Sequence, residues 1–303
     1  MNRRKIVGLG EVLWDLLPGG ASLGGAPANF AYMSRLLGDQ GVVASRVGRD
    51  ALGQQALERM QQLGLGVDHV QIDAEHPTGT VNVEIDAKGQ ARFEIADPVA
   101  WDFLEWTPDW RQLAQEADAV CFGSLAQRSL TSRATIRNFL DAASGAVKVF
   151  DVNLRQSYYS QEILRESMKL ADIVKVNDEE LPKIMALIQF PQEDERSSAQ
   201  TLLNAFSLKL VCITRGARGS LIVEENHVDD HPGFRVKVVD TVGSGDAFTA
   251  ALTHEYLKGS SLEAINETAN LVGAWVASQP GGMPVPETGL VESLSEMTRT
   301  QNR

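Results

Sequence analysis

Cysteine is scarce in this chain: among 303 residues there are two, Cys121 and Cys212. Each sits inside a short apolar run, AVCFG and LVCIT. That placement points to buried strand positions rather than to a disulfide framework or a metal cage. Long hydrophobic runs are missing too, and nothing approaches the roughly 18 apolar residues of a membrane span. The opening MNRRKIVGLGEVLWD is basic at its start, but Glu11 and Asp15 interrupt the apolar run. It does not read as a signal peptide, and a cytoplasmic protein with no membrane partner is expected. Positive charge is in deficit, with Lys+Arg 28 against Asp+Glu 40 and a net charge of −12. Beyond Arg3-Arg4-Lys5 no run of Lys and Arg occurs, which argues against a nucleic-acid partner. The chain is 43% hydrophobic and 22% charged. Those are the proportions of a soluble globular protein, and the length allows a sizeable core without staples.

Short apolar runs recur at Ile6–Gly10, Val42–Ser45, Ala119–Gly123, Val147–Asp151, Ile173–Val176 and Leu210–Thr214. Bounded by Gly or Asp, such runs fit strands buried on both faces. Helical spacing appears between them, in Phe30/Met33/Leu37 and in Ile265/Ala269/Val272/Val276. Strands alternating with helices imply an α/β fold with a mostly parallel central sheet covered on both sides. One region departs from this. Val81, Val83 and Ile85 alternate with polar residues, a turn-like Asp86–Gly89 follows, and Ala91, Phe93 and Ile95 alternate with Arg92 and Glu94. This reads as a hairpin with one apolar face, belonging to a small accessory sheet that Val12–Leu17 could join. Gln192–Ser198 reads as a polar loop, and Thr298–Arg303 as a frayed end. No internal repeat or low-complexity tract is found.

The strongest chemical signal is Asp240-Thr241-Val242-Gly243-Ser244-Gly245-Asp246. An alternating stretch precedes it (Phe234, Val236 and Val238 against Arg235 and Lys237), expected as a strand. A helix with Phe248, Leu252 and Tyr256 on its buried face follows. A Gly-Ser-Gly turn at a helix N-terminus presents several backbone N–H groups with the positive end of the helix dipole behind them, which suits an anion. A carboxylate in the first turn, Asp246, repels a resting phosphate and is better placed as a base acting on a nucleophilic hydroxyl. Alone, the same residue would also fit a plain N-cap. A second stretch, Gly24-Gly25-Ala26-Pro27-Ala28-Asn29, reads as two glycines before a helix that has Pro in its first turn. Asn29 can donate and accept, as sugar hydroxyls require. Asp15 interrupts an apolar strand, as either a solvated edge carboxylate or an acceptor for a polyol. Other enzyme signatures are absent. Gly8-Leu9-Gly10 is not completed by a further glycine, G-x-x-x-x-G-K-[ST] and G-x-S-x-G do not occur, and His254-Glu255 is followed by Lys258 where a second histidine would be needed.

GGAPAN and DTVGSGD, in this order and separation, resemble the two signature regions of the ribokinase family of carbohydrate kinases, the group containing fructokinase and the minor bacterial phosphofructokinase. The resemblance covers nearly the whole chain. It implies a ribokinase-like three-layer core, a single kinase domain over residues 1–303, and a β-sheet lid built from about 12–24 and 78–98. It implies that Asp246 is the catalytic base and that the amides of Gly243, Ser244 and Gly245 form the anion hole. Asp15, Gly25 and Asn29 would hold the sugar. Asn177 and Glu180 match an N-x-x-E element, Asn177 on the nucleotide side and Glu180 on Mg²⁺ through water. Thr214, Gly216, Arg218 and Gly219 match a loop along the nucleotide, with Gly245 beside the phosphates and Asn270 near the adenosine. Asp240, Val242, Val276, Gln279 and Gly281 fall where a monovalent cation, K⁺, is held largely by carbonyls. Asp151, Asn153 and Arg155 match a D-x-N-x-R element whose arginine either neutralises phosphate charge or makes a surface salt bridge.

Two positions bear on the substrate. Ala26-Pro27 stands where ribokinase proper has a lysine, as in fructokinases. The lid reads Arg92-Phe93-Glu94-Ile95 in place of the aromatic–arginine pair of many bacterial fructokinases. The expected activity is ATP-dependent phosphorylation of a sugar hydroxyl, D-fructose first, with Mg²⁺ and K⁺ as cofactors. 2-Keto-3-deoxygluconate, ribose and a non-catalytic sugar-binding regulator are the alternatives. The hairpin's apolar face leads to the expectation of a homodimer joined through the lids.

Overall fold

The computed structural model describes residues 3–17, 20–85 and 91–301. The first third runs β1 (Lys5–Leu9), β2 (Leu13–Leu17), β3 (Gly20–Gly24), α1 (Ala26–Leu36), β4 (Gln40–Gly48), α2 (Ala51–Gln62), β5 (Val70–Asp73), β6 (Gly79–Ile85) and β7 (Ala91–Ile95). The middle adds α3 (Pro108–Glu116), β8 (Ala119–Phe122), α4 (Leu130–Ala142), β9 (Val147–Asp151), α5 (Gln161–Leu170), β10 (Ile173–Asn177), α6 (Glu180–Leu187) and α7 (Glu195–Phe206). The last part is β11 (Leu210–Thr214), β12 (Ser220–Val223), β13 (Val228–His231), α8 (Ser244–Lys258), α9 (Leu262–Ala277) and α10 (Leu290–Gln301).

Nine strands form the large sheet in the order β13-β12-β11-β10-β9-β8-β1-β4-β5. All its pairings are parallel except β11–β12 and β12–β13. The apolar runs are continuous because both faces are covered. Val7, Val120, Phe150, Val174 and Val211 pack on one side with Trp110, Phe139, Leu164, Ile184 and Leu202 of α3–α7. Ile6, Cys121, Val149, Ile173 and Cys212 pack on the other with α1, α8, α9 and α10. Both cysteines are free and buried, as their apolar settings require. The three-layer core expected from the sequence is therefore present, with a separate four-stranded sheet, β3-β2-β6-β7, beside it.

In that small sheet Asp15 stands opposite Ser22 and Val81, and Val81 opposite Ile95. Paired positions share a face, so Asp15 lies on the hairpin's apolar row. β2 is interior, flanked by β3 and β6, which removes the edge-strand reading of Asp15. Val81 and Ile95 are buried in the main core together with Leu13. The base of the apolar face is thus covered within one chain. Arg92 pairs with Glu84, one step out of phase with the Asp15 row, and the turn Asp86–Gly89 lies outside the described residues.

Three other expectations change. Phe234–Val238 does not form a strand. Pro232 and Gly233 end β13, Pro has no N–H to give a ladder, and Val238 is 54% exposed. The polar run at Gln192–Ser198 becomes helical from Glu195, because Asp194 accepts from Ser197 N–H and caps α7. The backbone of α10 stays helical from Thr298 through Gln301. No helix among the described residues is long and apolar enough to cross a membrane.

Candidate active site

Gly243 caps α8 in the left-handed conformation (φ 73°), and no side chain caps the helix. Asp246 sits in the first turn and is not the cap. Its Oδ2 accepts a 2.8 Å hydrogen bond from Asn29 Nδ2, which joins the two signature stretches across 217 residues of chain. Burial and then the neighbouring Asp151 carboxylate push the Asp246 carboxyl up to about 6, against the lowering effects of Asn29, Lys175 and Arg155. An aspartate held near 6 is ionised at neutral pH and still basic enough to take a proton. Asn29 is 5% exposed, and its Oδ1 has no partner among the described residues. That leaves a buried acceptor beside the carboxylate.

Gly25 caps α1. A Cβ there would lie 2.4 Å from the Glu11 carbonyl, so the start of α1 rests directly on the β1–β2 connection. Glu11 itself is 3% exposed with an unpartnered Oε2, and burial above all pushes its carboxyl up to about 7. Asp15 is raised as well, by burial first and Asp240 further, with Arg155 opposing. The Arg155 guanidinium thus acts on Glu11, Asp15 and Asp246 alike. It is exposed and has no carboxylate partner among the described residues, so the salt-bridge alternative is not realised.

The Gly-Ser-Gly turn is held from three sides. Ser244 Oγ donates to the Gly273 carbonyl of α9 (2.9 Å). Asp240 accepts from Val242 N–H (3.0 Å) and from Gly281 N–H (3.1 Å), tying the turn to the loop after α9. A Cβ on Gly243 would come within 2.4 Å of Gly282 Cα, so turn and loop touch backbone to backbone. Val276 lies in the last turn of α9, and its carbonyl accepts from Gln279 N–H (2.9 Å). Asp240, Val242, Val276, Gln279 and Gly281 therefore gather at one junction beside the turn. The Asp240 carboxylate and the Val276 carbonyl there each accept from backbone N–H groups.

Asn177 and Thr214 lie opposite each other at the carboxyl ends of β10 and β11, the edge where open α/β sheets bind ligands. Asn177 Oδ1 accepts from Glu180 N–H (2.8 Å), and Glu180 Oε2 accepts from Asn177 N–H (3.0 Å). This reciprocal cap starts α6. Glu180 Oε1 accepts from Leu154 N–H (2.7 Å), so the glutamate is buried and structural rather than solvated. No cluster of three or more acidic, His or Cys residues suited to a metal occurs among the described residues. A divalent ion here would rely on phosphates and water, with Glu180 acting at most through its remaining lone pairs. Gly216 and Arg218 form a short turn after β11, and Gly219 closes it against His231. Arg218 reaches across to Asp178 (2.5 Å). Asn270 is 7% exposed, and its amide donates to Ser220 Oγ and Asn266, so the structure spends it in the α9–β12 packing.

Sequence reasoning passed over Glu11, Lys175, Thr249 and Gly282. For Lys175 a signal existed: a lysine inside the apolar strand IVKV needs a buried partner.

Known proteins resemble this arrangement. A fructokinase of Escherichia coli is 34% identical over 263 residues, covering 82% of this chain and 83% of that protein. The crystal structure of a sugar kinase of Pyrococcus horikoshii in complex with ATP superposes with a TM-score of 0.79 at 28% identity, over 97% of this chain and 99% of that one. A fructokinase of Vibrio cholerae O395 in a form binding fructose, ADP and a calcium ion gives 0.78 at 25% identity, over 99% of each chain. The family model described as pfkB family carbohydrate kinase matches residues 19–288, a span that includes the Gly-Ser-Gly turn and the loop that packs on it. A carboxylate beside a glycine turn at a helix start, the two distant signatures meeting in one hydrogen bond, and a match across most of the chain have one common source: the chain belongs to the pfkB family of carbohydrate kinases.

Proposed function

We propose that this sugar kinase transfers the γ-phosphoryl group of ATP to D-fructose, giving fructose 6-phosphate, with Asp246 as the base. The observation that carries this reading is the Asp246–Asn29 bond (2.8 Å) at the N-terminus of α8, with the Gly243–Gly245 amides beside it. The sugar hydroxyl's proton passes to the Asp246 carboxylate as its oxygen bonds to the γ-phosphorus. The bond from that phosphorus to the bridging oxygen breaks, and ADP leaves with the electron pair. Charge spread over the moving phosphoryl group meets preorganised N–H donors at the helix end. Asp15 and Asn29 serve as sugar acceptors, with Gly25 as the close approach. Thr214, Gly216, Arg218, Gly219 and Asn177 line the nucleotide side.

Mg²⁺, when bound, neutralises phosphate charge. The residues fit an ion held by phosphate and water near Glu180 rather than by a protein cage. K⁺ would sit at the junction of Asp240 and its neighbours, where it would steady the turn. Fructose is supported by the Ala26-Pro27 pattern and by the fructokinase relatives. A cytoplasmic homodimer joined through the lids completes the reading.

A second reading is favoured by Arg155: an exposed guanidinium without a carboxylate partner among the described residues, acting on the sugar-side acids, would suit the carboxylate of 2-keto-3-deoxygluconate. An ADP-release assay with fructose, ribose, 2-keto-3-deoxygluconate, tagatose, glucose and adenosine separates the two. Fructose is expected to give the highest kcat/KM, because a site built for hydroxyls discriminates against analogues that leave its groups unpaired. A higher value for the acid sugar overturns the fructose assignment. Binding of a sugar with no ADP release from any of them would instead favour the non-catalytic regulator. Asp246→Asn should lower kcat by about 10²–10⁴ while both substrates still bind.

A further inference from the structure

Lys175 stands in the middle of β10, between the buried Val174 and Val176, and is itself 7% exposed. Lysine is almost never this buried unless paired. Its Nζ donates to both oxygens of Asp151, at 3.1 and 3.2 Å, and strand register sets it between Asp151 and Cys212. The Thr249 hydroxyl of α8 lies 2.7 Å from Asp151 Oδ2 and 2.9 Å from the Gly245 carbonyl. A Cβ on Gly245 would be 3.0 Å from Lys175 Nζ. The ammonium therefore lies against the underside of the anion turn with no side chain between them. This cluster is buried, fully partnered and attached to the turn that carries Asp246.

The charges around Asp246 come from every element packed against it. Asp151 faces it from β9, Lys175 from β10, Arg155 from the segment after β9, and Glu11 from the β1–β2 connection. The Cys121 thiol of β8 feels it, and Asn29 of α1 donates to it. Lys175 in turn faces Asp151, Glu180 and Asp246, with the Cys212 thiol alongside. Burial alone would lower its pKa, but the three carboxylates outweigh burial and hold the ammonium above its ordinary range. Asp151 opposes ionisation of Asp246 and Lys175 favours it. The Asp151–Lys175 pair is nearly neutral together, and losing either half exposes Asp246 to one uncompensated charge.

We propose that Lys175 is a positioning residue for phosphoryl transfer: its ammonium, clamped by Asp151 beneath Gly245, is the fixed countercharge that keeps Asp246 ionised and ready to accept the hydroxyl proton. The proposal rests on Asp246 being the base. It explains why a carboxylate stands beside a base that it hinders: Asp151 is what holds the lysine in place. A Cβ at position 245 would press on the ammonium at 3.0 Å.

The test is the acid limb of kcat/KM against pH for the purified full chain, read by ADP release with the best sugar and saturating ATP. Lys175→Met leaves Asp151 uncompensated, so its limb should move up by about one pH unit. Its loss of activity should approach about tenfold at pH 5.5 and nearly vanish at pH 8.5. Asp151→Asn leaves the ammonium uncompensated, and its limb should move down by a similar amount. The double variant should return close to the parent. Packing damage alone would lower activity evenly across pH. Even losses, or limbs that move in the same direction, overturn the proposal. If Lys175→Met does not fold, as judged by circular dichroism, Asp151→Asn decides alone: a downward shift supports the proposal and an unmoved limb overturns it. Failure of the underlying base assignment looks different, since Asp246→Asn would then keep its activity and the parent would show no acid limb.

Discussion

Gly243→Ala is the sharpest perturbation the geometry offers. The residue is left-handed at φ 73°, a conformation that costs an alanine roughly 1–2 kcal/mol. The added Cβ would also fall 2.4 Å from Gly282 Cα and 2.8 Å from Gly282 O, about 1 Å short of ordinary contact. Both obstacles are backbone, so no side chain can swing away. Either the anion turn or the loop at Gly281–Gly282 must shift by about 1 Å. The Gly282 backbone lies close under Asn29, since a Cβ on it would meet the Asn29 amide at 2.9 Å. Displacing the loop therefore disturbs the bond to Asp246 as well. A misplacement of this size at a reacting centre costs on the order of 10²-fold in rate. Gly259→Ala is the matched control: it caps the other end of α8 at the same φ of 73°, with nothing within 4 Å of the new Cβ. Differential scanning fluorimetry should show both variants melting several degrees lower, at about 2–4 °C per kcal/mol. ADP release should show Gly243→Ala down about 10²-fold in kcat and Gly259→Ala within about threefold of the parent. A Gly243→Ala enzyme as active as the Gly259→Ala control would refute the reasoning.

The raised Asp246 carboxyl predicts an acid limb in kcat/KM centred at about 6 for the parent, with activity falling as pH drops through it because only the ionised form accepts a proton. Glu11 is pushed from 4.5 to about 7 by burial, so it costs stability as pH rises through that window, where the unfolded chain ionises first. Glu11→Gln should accordingly melt several degrees above the parent at pH 8.5, with the gap closing toward pH 4. Turnover in KCl should exceed turnover in an equal concentration of tetramethylammonium chloride, and equal rates would remove the cation junction from the mechanism. Light scattering should report a dimer that Val83→Glu with Phe93→Glu dissociates; a monomeric parent would reject the lid interface.

The core was legible because parallel strands buried on both faces leave continuous apolar runs. Val147–Asp151 and Leu210–Thr214 begin and end in the structure where the runs do. β12 and β13 were not marked, since a short edge hairpin needs neither a long run nor a strict alternation. Phe234–Val238 shows the converse failure. Alternation records only that side chains point in opposite directions, and it does not by itself require a ladder. In the lid, alternation gave the hairpin and its apolar face but not what that face meets. Only strand register placed Asp15 on the same row as Val81 and Ile95 and showed that row running into the main core.

The site divides along similar lines. Asp246, Gly243 and Asn29 stand in local patterns whose chemistry can be read from spacing, because a glycine turn before a helix fixes where its amides point. Asn177 and Glu180 were found by spacing too, but the same three-residue interval serves a reciprocal helix cap, and the structure uses both side chains for it. Lys175 and Thr249 lie 24 and 98 residues from Asp151. No local pattern connects them; they meet only because β9 and β10 are neighbours and α8 crosses above both. What the sequence did hold was an anomaly, a charge inside an apolar strand. A buried lysine must find a carboxylate. Asp151, which ends the neighbouring run, is the partner that a parallel pairing of the two strands supplies. Anomalies of this kind locate second partners at a site more reliably than motifs do, because desolvation forbids them to stand alone.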